Sequence, residues 1–166
     1  MSTFARVLRH LFAARFRRAR WFPAPVLAQI AAVVAAGERA HAGEIVFAVE
    51  SRWPVNEVLR GQSVRERAEH AFGTLRVWDT HANCGVLIYA LLCERRIELV
   101  ADRGIAARVS AAEWKPIVDE LARRFAGADP AAGVIAAVAA VGALLAAHFP
   151  PQPGDRNELS DRPVVL

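Results

Sequence analysis

Arg76-Val77-Trp78-Asp79-Thr80-His81-Ala82-Asn83-Cys84-Gly85 runs directly into Val86-Leu87-Ile88-Tyr89-Ala90-Leu91-Leu92. A charged turn then leads to Ile97-Glu98-Leu99-Val100-Ala101-Asp102-Arg103-Gly104-Ile105. Val86 to Leu92 leaves no face for water, which predicts a central strand covered on both sides. Glu94-Arg95 predicts a tight reversal, after which Ile97, Leu99 and Ala101 alternate with Glu98 and Val100, the period of a less buried neighbour. In an antiparallel pair, the residues that enter the first strand and those that leave the second lie at one edge of the sheet. Asp79, Asn83 and Asp102 are therefore expected together.

Working outward, Glu44 to Val49 reads as a preceding strand, and Ser63-x-x-Glu66 is a capping box opening a helix to Phe72. Strand, helix, strand with so long a connection implies a parallel, right-handed crossover. The expected fold class is α/β, a three-layer α/β/α sandwich around a mixed central sheet of mostly short strands. A parallel first strand starts at the edge that holds Asp102, which brings His41 and Glu44 there and sends Glu50, Ser51 and Arg52 to the opposite edge. Phe4, Leu8, Leu11, Phe12 and Phe16 recur at helical spacing and predict an amphipathic N-terminal helix. Its apolar stripe packs on the domain or on a second copy in one reading, and lies on an anionic membrane in the other. Trp21 to Pro25 stops that helix, a second runs from Val26 to Ala36 with its end at Gly37, and Ser51 to Gly61 is expected as loop. Ser110-x-x-Glu113 opens a helix through Phe125, and Asp129-Pro130 opens the last. Pro150 onward reads as an extended tail in which Val164-Val165-Leu166 is able to dock.

Asn83-x-Gly85-Val86-Leu87-Ile88-Tyr89, the hairpin and Gly104, in this order of elements, resemble the TPM domain from about Ala40 to Phe149. The division that follows is an Arg-rich helical segment over 1–36, a TPM-like α/β domain over 37–149 and a tail over 150–166. Some members of that family are said to bind calcium or other divalent ions and some to hydrolyse phosphate monoesters, so the resemblance implies a metal-dependent phosphatase as one expectation. Where the family more often shows a Gly-Tyr-Gly-like sequence, this chain has Asp102-Arg103-Gly104.

The 166 residues suit one domain, and the 54% hydrophobic content is dominated by alanine, which fits helices packed closely on a sheet. The net charge of +4 and the isoelectric point near 10.0 are uneven. Arg6, Arg9, Arg15, Arg17, Arg18 and Arg20 all precede Trp21, so the basic character belongs to an appendage suited to an anionic membrane surface or a membrane protein. Sequence-specific nucleic-acid binding is not expected. Cys84 and Cys93 open and close one strand, about 30 Å apart at about 3.3 Å per residue, so they cannot bridge within it. They read as small core residues in a reducing compartment, which points to a cytoplasmic protein, peripheral to a membrane if the arginines meet lipid. Pro23 to Ala36 followed by Ala40-His41-Ala42 resembles a secretory leader, but Gln29, Glu38 and Arg39 interrupt it and the basic region is long, so retention is expected. Ala131 to Ala147 reaches about 25 Å, short of a roughly 30 Å hydrocarbon core, and reads as a buried helix.

Carboxylates and an amide oxygen meeting at one edge are hard ligands. Asp79, Asn83, Asp102 and Glu44 are thus candidate metal ligands for Ca2+ or Mg2+, with Arg103 and His41 as anion or substrate contacts. Turn chemistry competes as the explanation of Asp79 and Asn83. Glu38-x-x-His41-x-x-Glu44 would be a ligand series on a helix, but Gly37 and Gly43 argue against one, and His41 reads as a capping or exposed residue. Trp53, Trp78 and Trp114 read as core or edge packing. Neither Gly-x-Ser-x-Gly nor His-Glu-x-x-His nor a kinase signature occurs, and Ser63 is better used as a helix cap. The leading expectation is a small binding or accessory module with a divalent-cation site, acting on a membrane or membrane-protein partner. The alternative is a metal-dependent phosphatase.

Overall fold

The computed structural model describes residues 3–12, 16–151, 154 and 156–166, of which 16–18 are described as backbone only. Its sheet is built on β1 (Glu44–Glu50) and β2 (Gly85–Leu91), which run parallel with Glu44 opposite Gly85 and Glu50 opposite Leu91. β3 (Arg96–Ala101) turns back antiparallel on β2, and β4 (Val164–Val165) adds parallel to β1, giving the order β3-β2-β1-β4. All seven residues of β2 are buried, as its unbroken apolar run requires, while β3 is mostly half-buried.

The helices, in chain order, are α1 (Thr3–Phe12), α2 (Phe16–Trp21), α3 (Ala24–Glu38), α4 (Val55–Leu59), α5 (Val64–Thr74), α6 (Arg103–Ala106), α7 (Ala111–Ala126) and α8 (Pro130–His148). Strand alternation divides the core in two. Ile45, Phe47, Val49, Val86, Ile88 and Ala90 face α3, α7 and α8. Val46, Ala48, Leu87, Tyr89 and Leu91 face α4 and α5. The result is the three-layer α/β/α sandwich around a mixed sheet. Ser63 and Ser110 cap α5 and α7 through reciprocal bonds with Glu66 and Glu113, and the Asp129 carboxylate accepts from Ala132 N at the start of α8.

Four expectations need correction. Ser51 to Gly61 is not all loop, because burial of Trp53 and Val58 draws α4 into the core. α3 runs through Gly37 to Glu38, since Gly37 keeps a helical backbone. The division after residue 36 is not a packing boundary: Phe22, Ile30 and Val34 share one core with Ile45 and Val138. Finally, α1 does not dock by its apolar stripe. Arg6, Val7 and His10 turn inward, and Phe4, Leu8, Leu11 and Phe12 are exposed. The side chain of Phe16 lies outside the described residues. α8 is long and apolar enough to cross a membrane by length and composition, and it sends Val134, Val138, Val141 and Leu145 into the core.

Candidate functional site

Two polar clusters occupy opposite ends of the same sheet face, because Glu44 and Glu50 share the parity of Val46 and Ala48 along β1. The first lies where β1 begins. Glu44 is opposite Gly85, whose carbonyl accepts from Asp102 N, so Glu44 and Asp102 flank Gly85 about 10 Å apart at strand spacing. Asp102 caps α6, its Oδ1 accepting from Arg103 N at 2.7 Å, and its Oδ2 is buried without a hydrogen bond. Asn83 has the left-handed backbone suited to its type, and its Oδ1 accepts from Arg103 Nε and Nη2 at 3.1 and 2.9 Å. Asp79 is exposed and paired with Arg76. Asn83, Asp102 and Arg103 are thus brought together, Glu44 joins His41 instead, and Asp79 pairs with Arg76.

His41 is buried rather than exposed. Its ring fits where α3 and α8 present Gly37 and Gly142, at which a Cβ would come within 3.2 and 3.4 Å of Nε2. Glu38, His41 and Glu44 line a cavity of about 550 Å³ with Arg156, Asn157 and Asp161. The spacing that no helix could span is closed by the turn after α3. The chain from Asn157 to Leu159 then lies across the acids. Glu44 accepts from the backbone N–H groups of Glu158 and Leu159 at 2.9 and 3.4 Å. Asn157 Nδ2 donates to Glu38 at 3.2 Å and to Asp161, and His81 N donates to Glu158. Asn157 and Asp161 were invisible to sequence reasoning, since the docking segment Val164-Val165-Leu166 does not say which polar residues of the tail come to lie over the acids.

Burial, then the charges of Glu44 and Asp161, push the Glu38 carboxyl up from 4.5 to about 8. Glu44 is also raised, by burial, against the lowering effect of the Glu158 and Leu159 amides. A raised carboxylate keeps its proton in the folded chain where the unfolded chain has lost it. Its contribution to stability is complete below the unfolded value and disappears as pH rises through the folded one. The melting temperature is therefore expected to fall between about pH 4.5 and pH 8, the window set by the Glu38 shift. Glu38→Gln is expected to flatten that fall and to raise the melting temperature at pH 9. Thermal unfolding across pH at fixed ionic strength checks it, and an unchanged slope in the variant assigns the effect to other groups.

The second cluster lies at the carboxyl ends of β1 and β2, where open α/β sheets commonly bind ligands. Here it is filled by the chain itself. Arg67 donates to Glu50 through Nε and Nη2 at 2.9 and 2.8 Å, and the Tyr89 hydroxyl also donates to Glu50. Trp53 Nε1 donates to Tyr89 Oη at 3.0 Å, and Trp53 N donates to His10 Nδ1 at 2.9 Å. That bond makes Nδ1 the acceptor, so His10 Nε2 carries the proton shared with Glu94 at 2.7 Å. Arg6 completes the cluster, donating to Glu94 at 2.6 Å and to the Gln62 carbonyl at 2.8 Å, with its guanidinium 4.9 Å from the Trp53 ring centre. Burial alone would push Glu94 up, but hydrogen bonds from His10 and Arg6 hold it below its ordinary value.

A family model described as the TPM domain matches residues 17–144. Among solved structures, the NMR structure of BA42 protein from the psychrophilic bacterium Bizionia argentinensis matches with a TM-score of 0.77 at 24% identity, over 86% of this chain and 94% of that one. At that identity the likeness concerns the fold alone. No curated protein matches the chain.

Proposed function

We propose a function for this chain, which belongs to the TPM domain family. The reading supported best is a small binding module that takes a cation at the edge where β1 begins. The observation that carries it is the gathering of Glu38, Glu44 and Asp161 around one cavity, where burial first and then the neighbouring charges push the Glu38 carboxyl up to about 8. A positive group entering there replaces that proton and removes the cost of like charges held together.

Two kinds of cation fit this chemistry unequally. The donors are hard oxygens suited to Ca2+ or Mg2+, while the buried Asp102 Oδ2, which accepts no hydrogen bond, lies across Gly85 from Glu44. Yet among the described residues no three His, Cys, Asp or Glu side chains are grouped to hold a metal ion. The Asn83 oxygen is taken by Arg103, and both Glu44 oxygens by N–H groups of the tail. A metal ion would have to lift residues 157–159 from Glu38 and Glu44. An ammonium or guanidinium needs less rearrangement, since it offers the same N–H donors that Asn157 now supplies.

Thermal shift and calorimetry on the full chain, with Ca2+, Mg2+ and 1,4-diaminobutane, test the reading. A cation at a hundredfold excess over its dissociation constant adds about 2.7 kcal/mol, roughly 5–10 °C for a chain of this size. Glu44→Gln combined with Asp161→Asn is expected to abolish the shift. A response to the metals alone identifies a divalent-ion site, and none from any of the three removes the cation reading. Metal-dependent release of phosphate from p-nitrophenyl phosphate, lost in Asp102→Asn, would replace the binding module with a phosphatase.

A further inference from the structure

α1 is amphipathic, and it is held to the domain by the side that ordinarily faces water. Arg6 and His10 are clamped to Glu94, Gln62 and the Trp53 backbone, and Val7 is the apolar residue that packs beneath the helix. Phe4 and Phe12, two turns apart, remain 72% and 78% exposed, with Leu11 at 48% and Leu8 at 37% between them. Residues at these intervals form one stripe. Side chains this large, left outward on a helix whose other face is tied down by buried hydrogen bonds, do not reach the core by a small readjustment.

The charge around the stripe indicates what covers it. The first acidic residue of the chain is Glu38, and six arginines precede it. Arg6 is consumed by Glu94, while Arg9 and Arg20 are exposed. Arg15 and the side chains of Arg17 and Arg18 lie outside the described residues, and they add charge to the same short segment. Pairing of two copies through this stripe would bring two sets of arginines together. An anionic bilayer meets both requirements at once, with acyl chains for the phenylalanines and phosphate or carboxylate headgroups for the arginines.

We propose that α1 is the docking surface by which this protein lies on an anionic lipid bilayer. Phe4, Leu8, Leu11 and Phe12 enter the acyl boundary, and Arg9, Arg20 and their neighbours meet the headgroups. Because Arg6 and His10 bind the helix to the carboxyl ends of β1 and β2, the domain is held in one orientation rather than tethered by a loose arm. The acids around Glu38 lie at the other end of β1, about 20 Å away at 3.3 Å per residue, where anionic lipid does not repel them.

Sedimentation of the full chain with vesicles of phosphatidylcholine alone, or with 30% phosphatidylserine, tests the surface. Binding is expected to the anionic vesicles only, falling about tenfold or more when salt rises from 50 to 500 mM. The double variant Phe4→Ser, Phe12→Ser is expected to lose about tenfold or more in affinity with no loss of melting temperature, since both side chains are already exposed. Absence of binding by the wild-type chain overturns the proposal. So does binding that the double variant retains in full, which would leave the arginines alone responsible. A wild-type dimer that becomes monomeric in the double variant and ignores vesicles also overturns it, and makes the stripe an interface between copies.

Discussion

Replacing Arg67 by methionine is expected to lower the unfolding free energy by about 3–5 kcal/mol, and the melting temperature by about 10 °C. Glu50 is almost wholly buried, and Arg67 supplies a matched pair of N–H donors to its two oxygens. Methionine fills much of the same space but leaves a carboxylate out of water with the Tyr89 hydroxyl still donating to it. The cost lies in that uncompensated charge and not in a lost attraction, so the double variant Glu50→Leu, Arg67→Met is expected to recover more than half of the loss. It should not recover all of it, because Tyr89, whose hydroxyl proton is held tightly by burial and then by the Glu50 charge, loses its acceptor. Urea unfolding of the wild type, both single variants and the double variant separates these contributions. A single Arg67→Met variant within about 1 kcal/mol of the wild type would place this pair with ordinary surface ion pairs.

What could be read from the sequence was whatever periodicity encodes. Val86 to Leu92 had to be a covered strand, Ser63 and Ser110 had to cap helices, and the long connection between Val49 and Gly85 required β1 and β2 to be parallel. Those constraints also brought Glu44 to the edge of Asp102 and sent Glu50 away from it. The misreadings arose where long-range partners override a local pattern. Amphipathic spacing says which side of α1 is apolar, but not that His10 will find Glu94 84 positions along the chain. Of the two readings that spacing left open, the structure excludes the one that packed the stripe on the domain. Glu38, His41 and Glu44 were visible as a spaced set, yet the residue that links Glu38 to Asp161, Asn157, is 119 positions from Glu38. Arg67 and Glu50 are only 17 apart, and they escaped notice because neither belongs to a motif and each looks like an ordinary charge at the end of its element.

Gly85→Ala is expected to be the most damaging methyl group that can be added to this chain, at about 3 kcal/mol or more, equivalent to a fall of roughly 6–12 °C in melting temperature. A Cβ there would lie 1.9 Å from the Val77 carbonyl oxygen. The obstacle is backbone, so no rotamer change relieves it, and neither side can retreat easily. Val77 N is bonded to the Phe72 carbonyl at the end of α5, while on the other side Cys84 O accepts from Glu44 and Gly85 O from Asp102. Moving the start of β2 thus disturbs β1, β3 and the acid-lined edge together. Gly104→Ala is expected to be milder. Its Cβ would sit 2.6 Å from the Ala82 and Asn83 carbonyls, but it lies in the short surface helix α6, which has more room to shift. Gly73→Ala has the opposite sign: it lies within α5 with nothing inside 4 Å of the added atom, and removing glycine's freedom in the unfolded chain should stabilise by about 0.5–1 kcal/mol. Thermal unfolding of the three variants therefore orders them Gly73→Ala above wild type, then Gly104→Ala, then Gly85→Ala. A Gly85→Ala protein as stable as the wild type would mean that Val77 is not fixed over the strand, and that this glycine, one of the positions carrying the family resemblance, is kept for a reason other than the close approach of two backbones.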